Sequence, residues 1–387
     1  MSGQGQHDCY VSFMNNPKIK DVAHLAGVST ATVSHVINNT RFVGEETRQK
    51  VLSAIDLTGY QPNIHARNLG ARNNSTVVTN NHNPVAAAPH LFGLLIPGLG
   101  QTEIFEPICQ GMARAGRAGG HALLWGDAEQ HTGNKEEQVK RLCEYYISRE
   151  VAGIFFAPFE LTKAKDNINQ WVIEKLEVAG IPVVLLDRDI YPYPRRSKFD
   201  LVGIDNRRVG YVTTAHLIEH GCKRLAFLAV PNSAPTVSAR STGFCDALRD
   251  FGLPGDKDSV VLISPDDQKA VQRLLQDLQP DGLVCGNDIT AAHLMRTLQI
   301  LNARIPQELK IVGVDDVRYA GLLAVPLTTV RQPCLELGEV AVSAMLERIL
   351  SPALPAREIL LDFALVIRNS CGCSADSYPF QIEQLRG

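Results

Sequence analysis

Four dipeptides at the ends of apolar runs carry the side chains best suited to chemistry in this 387-residue chain. Asp187-Arg188 follows PVVLL, Asp205-Asn206 follows LVGI, Asn287-Asp288 follows LVCG and Asp315-Asp316 follows IVGV. Carboxylates, amides and a guanidinium at converging strand tips suit a polyhydroxylated ligand, because each hydroxyl both donates and accepts a hydrogen bond. An aromatic ring covers a sugar's C–H faces, and Phe105 or Trp125 could supply it. Taken singly, each Asp or Asn also fits a blander use, capping the helix that follows its strand. The pattern indicates binding, not catalysis. Gly98-x-Gly100 has no third glycine, and no G-K-[ST], G-x-S-x-G or H-E-x-x-H is found. The eleven histidines show no metal spacing, and Cys371-x-Cys373 without a second pair is a weak metal signal. The chain therefore reads as a non-enzyme with no cofactor and no metal.

The elements that must place these residues are legible from period and length. LFGLLIP, HALLWGD, AGIFFAP, PVVLLD, LVGID, RLAFLAV, SVVLIS, DGLVCGND and KIVGVDD read as strands. Amphipathic stretches at 105–118, 134–149, 168–179, 207–220, 238–251, 266–278, 289–300 and 335–350 lie between them. This alternation predicts doubly wound parallel sheets, with length enough for two lobes and with ligands beyond the carboxyl ends of the strands.

The first 70 residues follow another rule. After a polar, aperiodic stretch over 1–16, Ile19, Val22, Ala23 and Ala26 recur at helical spacing, and Gly27 ends that helix. Ser29 is placed to cap a second helix, TATVSHVIN, with Val33, Val36 and Ile37 inward and Thr30, Thr32, Ser34 and His35 on other faces. A third helix runs from Glu45 to Leu57. Helix, tight turn, helix, with small hydrogen-bonding residues opening the second, is how a helix-turn-helix enters the major groove. A small helical bundle with solvated threonines fits the same pattern. Asn63 can cap a short helix over Ile64–Leu69, a length unstable by itself in water. Residues 73–88 are uncharged and Asn-rich, a linker composition.

Charge is divided unevenly. The net charge is −3, yet Pro17–Arg72 carries seven Lys/Arg against four acids, and everything from residue 73 onward sums to −5. A basic module on an acidic body suits a phosphate-backbone partner at one end only. No apolar stretch approaches the roughly 18 residues of a membrane span, and the N-terminus has no secretory pattern, so a cytoplasmic protein with reduced thiols is expected.

The segment IKDVAHLAGVSTATVSHVINNTRFVGEETRQKVLSAIDLTGYQPNIHARNL resembles, without a gap, the DNA-binding region of the LacI/GalR family, closest to its purine-repressor branch. The resemblance implies that Thr30, Ala31 and Thr32 open the recognition helix, and that Ser34, His35, Asn38 and Arg41 complete base and phosphate contacts. It also implies that residues 63–70 form a hinge helix on DNA, with Leu69 as a minor-groove wedge. Ala31 and Gly70 depart from the branch, where a threonine and a basic residue are usual. The remainder, to Cys373, is similar to the periplasmic-binding-protein-like sensor of that family and to ribose-type binding proteins, with PLTTVRQP (326–333) and VIRNSCGC (366–373) in support. That likeness implies that Phe105 stacks on a sugar. It implies a polar set of Asp187, Arg188, Asn206, Asn287, Asp315, Gln332 and Arg240, the last within R-x-x-G-F. Thr102 and Ile104 depart from the sugar pattern; Ile104 and Val284 stand where the purine branch has aromatics, which ranks purine second. A phosphorylated sugar is a further alternative, with Arg195-Arg196 as phosphate contacts or as a solvated loop, and a transport-type sugar-binding protein is a remote one.

The expected organisation is an extension over 1–16, an all-α helix-turn-helix headpiece over 17–62, a hinge helix over 63–70, a linker over 71–89, an α/β sensor and dimerisation domain over 90–374 and a tail over 375–387. The sensor divides into an N-lobe (90–204 and 333–362) and a C-lobe (205–332 and 363–374). The expected protein is a homodimer or higher oligomer that represses transcription from pseudo-palindromic operator DNA. A small-molecule effector, a sugar first, controls it.

Overall fold

The computed structural model describes residues 19–38, 43–58, 89–96, 103–126, 135–255 and 257–373, which fall into two compact units divided at Ala88/Pro89. The hinge segment 63–70, the linker and both terminal extensions lie outside the described residues.

In the first unit, helices α1 (Ile19–Ala26), α2 (Thr30–Asn38) and α3 (Glu45–Thr58) close on a core of Val22, Ala23, Val33, Val36, Val51 and Ala54. Gly27 turns the chain between α1 and α2 at φ 65°, a left-handed conformation that costs glycine nothing. The Val28 N–H closes on the Ala23 carbonyl at 3.0 Å. Ser29 caps α2, its Oγ accepting from the Thr32 N–H at 3.1 Å.

The second unit holds two parallel sheets. The first is ordered β11-β5-β4-β3-β1-β2, from β1 (Leu91–Leu95), β2 (Ala122–Leu124), β3 (Gly153–Phe156), β4 (Val183–Leu186), β5 (Asp200–Ile204) and β11 (Glu358–Leu361). The second is ordered β7-β6-β8-β9, from β6 (Leu225–Ala229), β7 (Val260–Leu262), β8 (Gly282–Cys285) and β9 (Lys310–Val312). The central strands are buried along their whole length, which is why they read as unbroken apolar runs. In each sheet the order reverses beside the first strand, between β1 and β3 or between β6 and β8, and such a reversal opens a crevice at the carboxyl ends.

The helices are α4 (Phe105–Ala118), α5 (Lys135–Ser148), α6 (Lys165–Val178), α7 (Asn206–Glu219), α8 (Pro235–Asp250), α9 (Gln268–Leu278), α10 (Asp288–Ile300) and α11 (Cys334–Leu350). Each begins and ends within three residues of its predicted bounds. The last strands were not foreseen. β10 (Thr329–Arg331) pairs antiparallel with β12 (Ala364–Val366), and β11 adds an edge to the first sheet after the chain has left it. These strands of three or four residues are too short for any period to register. α11 returns to pack on α4 under the first sheet, where a Cβ on Gly111 would stand 2.0 Å from the Leu335 carbonyl oxygen.

Candidate effector cleft and DNA-contacting helix

The carboxyl ends of both sheets converge on one cleft with about 650 Å³ of unfilled space, part of it open to solvent. Phe105 enters after β1, Glu160 after β3 and Asp187-Arg188 after β4; from the second sheet come Thr236, Val237 and Arg240 of α8, Asn287 after β8, and Asp315, Val317 and Tyr319 after β9. Six of the eight residues expected to bind an effector therefore line one space: Phe105, Asp187, Arg188, Arg240, Asn287 and Asp315.

The other two stand behind it. Asn206, expected as a direct contact, accepts from Arg240 Nε at 2.8 Å and donates to the Ile204 carbonyl at 3.2 Å, so it braces Arg240 from outside the cleft wall. Gln332 donates to Asp315 Oδ1 at 2.8 Å and lines an adjoining opening with Asp315, Asp316 and Ile104.

Each charged group in the cleft is aimed. Arg240 donates from Nη1 to the Gly286 carbonyl at 2.6 Å and has Nη2 3.8 Å from Asp315 Oδ1. Its helix is set by glycine contact: a Cβ on Gly243 would lie 1.9 Å from the Arg207 carbonyl oxygen, and one on Gly210 1.9 Å from that of Arg240. α7 and α8 thus cross backbone to backbone, which explains the glycine in R-x-x-G-F. Arg188 donates from Nε to the Pro158 carbonyl at 2.8 Å, pairs with Glu160 at 2.7 Å, and lies 5.5 Å above the Phe105 ring centroid. Asp187 and Asp315 both adopt left-handed φ, 67° and 122°, local strain of a kind that gathers at ligand sites. Burial pushes the Asp315 carboxyl up to about 7 against the pull of Arg240, and burial raises Asp187 despite Arg188. Asp187 Oδ1 and Gln332 Oε1 are buried acceptors without a hydrogen-bond partner among the described residues.

Capping proves the right reading for part of the strand-end set. Asp205 caps α7 through the Arg208 N–H at 3.0 Å, and Asn287 Oδ1 accepts from both the Thr290 N–H and its hydroxyl, at 3.0 and 2.6 Å. Asn287 thereby keeps its amide N–H groups for the cleft. Asp288 is internal, accepting from Thr329 Oγ1 at 2.6 Å and the Val317 N–H at 3.1 Å.

Three sequence readings need correction. Trp125 is 61% exposed and does not line the cleft; Phe105 lines it but is 1% exposed, packed in the first sheet's core with Arg188 over its ring, and Tyr319 is the other aromatic on the cleft wall. Val284 is fully buried in the core of the second sheet, so it says nothing about the shape of a bound base. Arg195 stacks on Tyr191 at 4.1 Å and Arg196 pairs with Glu358 at 3.1 Å; neither lines the cleft. Thr102 lies outside the described residues. Glu160, Thr236 and Tyr319 were missed, although Glu160 obeys the strand-end rule, four residues past β3.

In the first unit, Thr30 is exposed at the start of α2, and Thr32 and His35 are half-exposed on the same helix. Ala31, Ser34 and Asn38 belong to α2 with side chains outside the description, and Arg41 and Leu69 lie outside the described residues. No helix of the described residues is long and apolar enough to cross a membrane.

Two family models match this chain, bacterial regulatory proteins of the lacI family over residues 18–63 and a periplasmic binding protein-like domain over 214–371. The HTH-type transcriptional repressor PurR of Photobacterium profundum is 30% identical over 91% of this chain and 98% of its own length, and the PurR of Pasteurella multocida is likewise 30% identical over the same shares. Among solved structures, a CelR–cellobiose complex is 25% identical at TM-score 0.61, covering 92% of this chain and all of its own. A LacI-family regulator from Enterococcus faecium with bound ribose is 25% identical at TM-score 0.58, covering 72% of this chain and 98% of its own. A lac repressor dimer bound to operator shares the fold at TM-score 0.72 and 23% identity, covering 92% of this chain and 99% of its own. With a helix-turn-helix ahead of a two-sheet sensor and curated repressors matched from end to end, the chain belongs to the LacI family of bacterial transcriptional regulators.

Proposed function

We propose that the chain is a cytoplasmic, homodimeric repressor whose affinity for a pseudo-palindromic operator is set by a sugar bound in the cleft between the two sheets. One observation carries the effector class. Two carboxylates, Asp187 from the first sheet and Asp315 from the second, face one space beside Arg188 and Arg240, and Asp187 Oδ1 is a buried acceptor without a donor among the described residues. A vicinal diol presents donors and acceptors together, so it can satisfy both carboxylates and both guanidinium groups. Phe105 supplies an apolar face. The sugar-bound CelR and Enterococcus faecium regulators support the same class.

In this reading Thr30, Ala31, Thr32, Ser34, His35, Asn38 and Arg41 contact base edges and phosphates, and two recognition helices of a dimer occupy major grooves about 34 Å apart. The hinge helices over 63–70 fold on the duplex, and Leu69 opens the central step. Ligand draws the two sheets of the sensor together and shifts the stability of the paired hinge, lowering it for an inducer and raising it for a corepressor.

A purine is the second reading. The PurR names of the relatives favour it, and the burial of Val284 removes one argument against it. A thermal-shift panel of pentoses, hexoses, disaccharides, sugar phosphates and purine bases decides between them, since a ligand at 100 times its Kd adds about 2.7 kcal/mol. Stabilisation by a sugar, lost in Asp187→Ala, supports the proposal; stabilisation by purines alone overturns it.

A further inference from the structure

The C-x-C at the end of the sensor acquires a third partner that the sequence did not disclose. His216, ten residues into α7, presents its ring to the thiols of Cys371 and Cys373, with all three donor atoms within 4.8 Å of one another. The surroundings are closed: His216 is 3% exposed and Cys371 is fully buried. Buried Cys222 packs in the same cluster, which belongs to the core of the second sheet and lies apart from the effector cleft.

We propose that His216, Cys371 and Cys373 form a binding site for a thiophilic divalent cation of the Zn2+ type. Three arguments carry it. The donor set is one that Zn2+ takes in four-coordinate sites, imidazole nitrogen plus cysteine sulfur. Charge also balances: two thiolates neutralise a divalent cation, so the occupied site adds no net charge to a buried place, whereas a monovalent copper ion would leave one negative charge there. Finally, the ligands are held from outside. Thr328 Oγ1 donates to Cys371 Sγ at 3.1 Å, and Ser370 donates to the Ile311 carbonyl at 2.6 Å while accepting from the Thr328 N–H at 2.8 Å. Such supporting bonds fix ligand orientation at metal sites.

Metal entry exchanges two S–H protons for two Zn–S bonds, with no change in oxidation state, and releases those protons to solvent. It ties the turn after β12 to α7, the helix whose first residue braces Arg240.

The test uses the full-length, reduced, chelator-treated protein titrated with Co2+. The expected result is a thiolate-to-cobalt charge-transfer band and tetrahedral d–d bands that saturate at one ion per chain and are displaced by Zn2+. Cys373→Ser, at a half-buried position, and His216→Gln each abolish the bands, while Cys109→Ser in α4 keeps them. Absence of a charge-transfer band from the intact chain overturns the site, as does a band undiminished in Cys373→Ser. Uptake of Cu+ with refusal of Zn2+ overturns the cation assignment. A freshly purified chain that becomes two hydrogens heavier on reduction, traced to a Cys371–Cys373 disulfide, also overturns the proposal.

Discussion

Arg240 donates from Nε to Asn206 Oδ1 at 2.8 Å, and this one bond joins the two helices that cross glycine to backbone beside the cleft. The guanidinium spends one face on Asn206 and the Gly286 carbonyl and keeps Nη2 near Asp315. Asn206 is thus a positioning residue whose removal loosens Arg240 without taking away a direct ligand contact.

Replacing Arg240 by Ala is expected to weaken effector binding at least about 30-fold, since truncating one side of a buried, hydrogen-bonded charge pair costs 2 kcal/mol or more. Asn206→Ala is expected to weaken it by roughly 10-fold, the lower end of what one bond to a charged group is worth. Operator affinity without effector stays as it was in both. Calorimetry with the effector and anisotropy with operator DNA measure the two quantities; equal losses from the two substitutions would remove Asn206 from its bracing role.

Gly243→Ala introduces a methyl 1.9 Å from the Arg207 carbonyl oxygen, too close to stand. The helices must part, so a destabilisation of about 1–3 kcal/mol, as for other overpacked contacts, is expected together with a weaker effector response. Chemical denaturation with an unchanged midpoint would show that α7 and α8 do not need this close approach.

The pH dependence has a definite sign. Burial raises Asp315 to about 7, and a carboxyl raised above its unfolded value contributes stability that is complete below about pH 4. That contribution is lost as pH rises through about 7. Asp200 works the other way, held low against its burial by Arg357 and Arg348, so wild type must be compared with Asp315→Asn, not read alone. The ligand-free wild type is expected to lose melting temperature relative to Asp315→Asn between about pH 4 and 7. Effector hydroxyls favour the ionised carboxylate, so binding to wild type strengthens over the same range. Parallel melting curves of the two proteins against pH would refute the assignment.

Leu69→Ala tests the hinge. If Leu69 opens the central base step, its loss lowers specific operator affinity by roughly 100-fold and leaves salt-sensitive binding to random DNA nearly intact. Gel-shift titrations on both duplexes at two salt concentrations check this, and an equal fall on both would exclude a wedge.

Much of the fold was legible because buried parallel strands write themselves as unbroken apolar runs and their helices as long amphipathic ones. Ser29 and Gly27 marked the headpiece turn through rules local to three or four residues. The final crossovers were not legible, since β10, β11 and β12 owe their pairing to strands far away in the chain. In the cleft, the strand-end rule found Asp187 and Asp315 but could not separate a liner from a brace: Asn206 is the first residue of α7 behind its Asp205 cap, whereas Asn287 is itself the cap of α10. Trp125 and Val284 failed for a related reason: spacing names the element and leaves its depth unknown. The approach of His216 to Cys371 and Cys373 joins residues about 155 apart, beyond any local signal.

The most direct measurement of the central claim is operator binding followed by fluorescence anisotropy at fixed moderate salt, with and without a saturating stabilising sugar. A preference for a palindromic duplex over random DNA that the sugar changes by 10-fold or more, and that Arg240→Ala makes insensitive to the sugar, is the predicted result. Equal affinity for palindromic and random duplexes, or an operator affinity that no cleft ligand alters, would contradict the account.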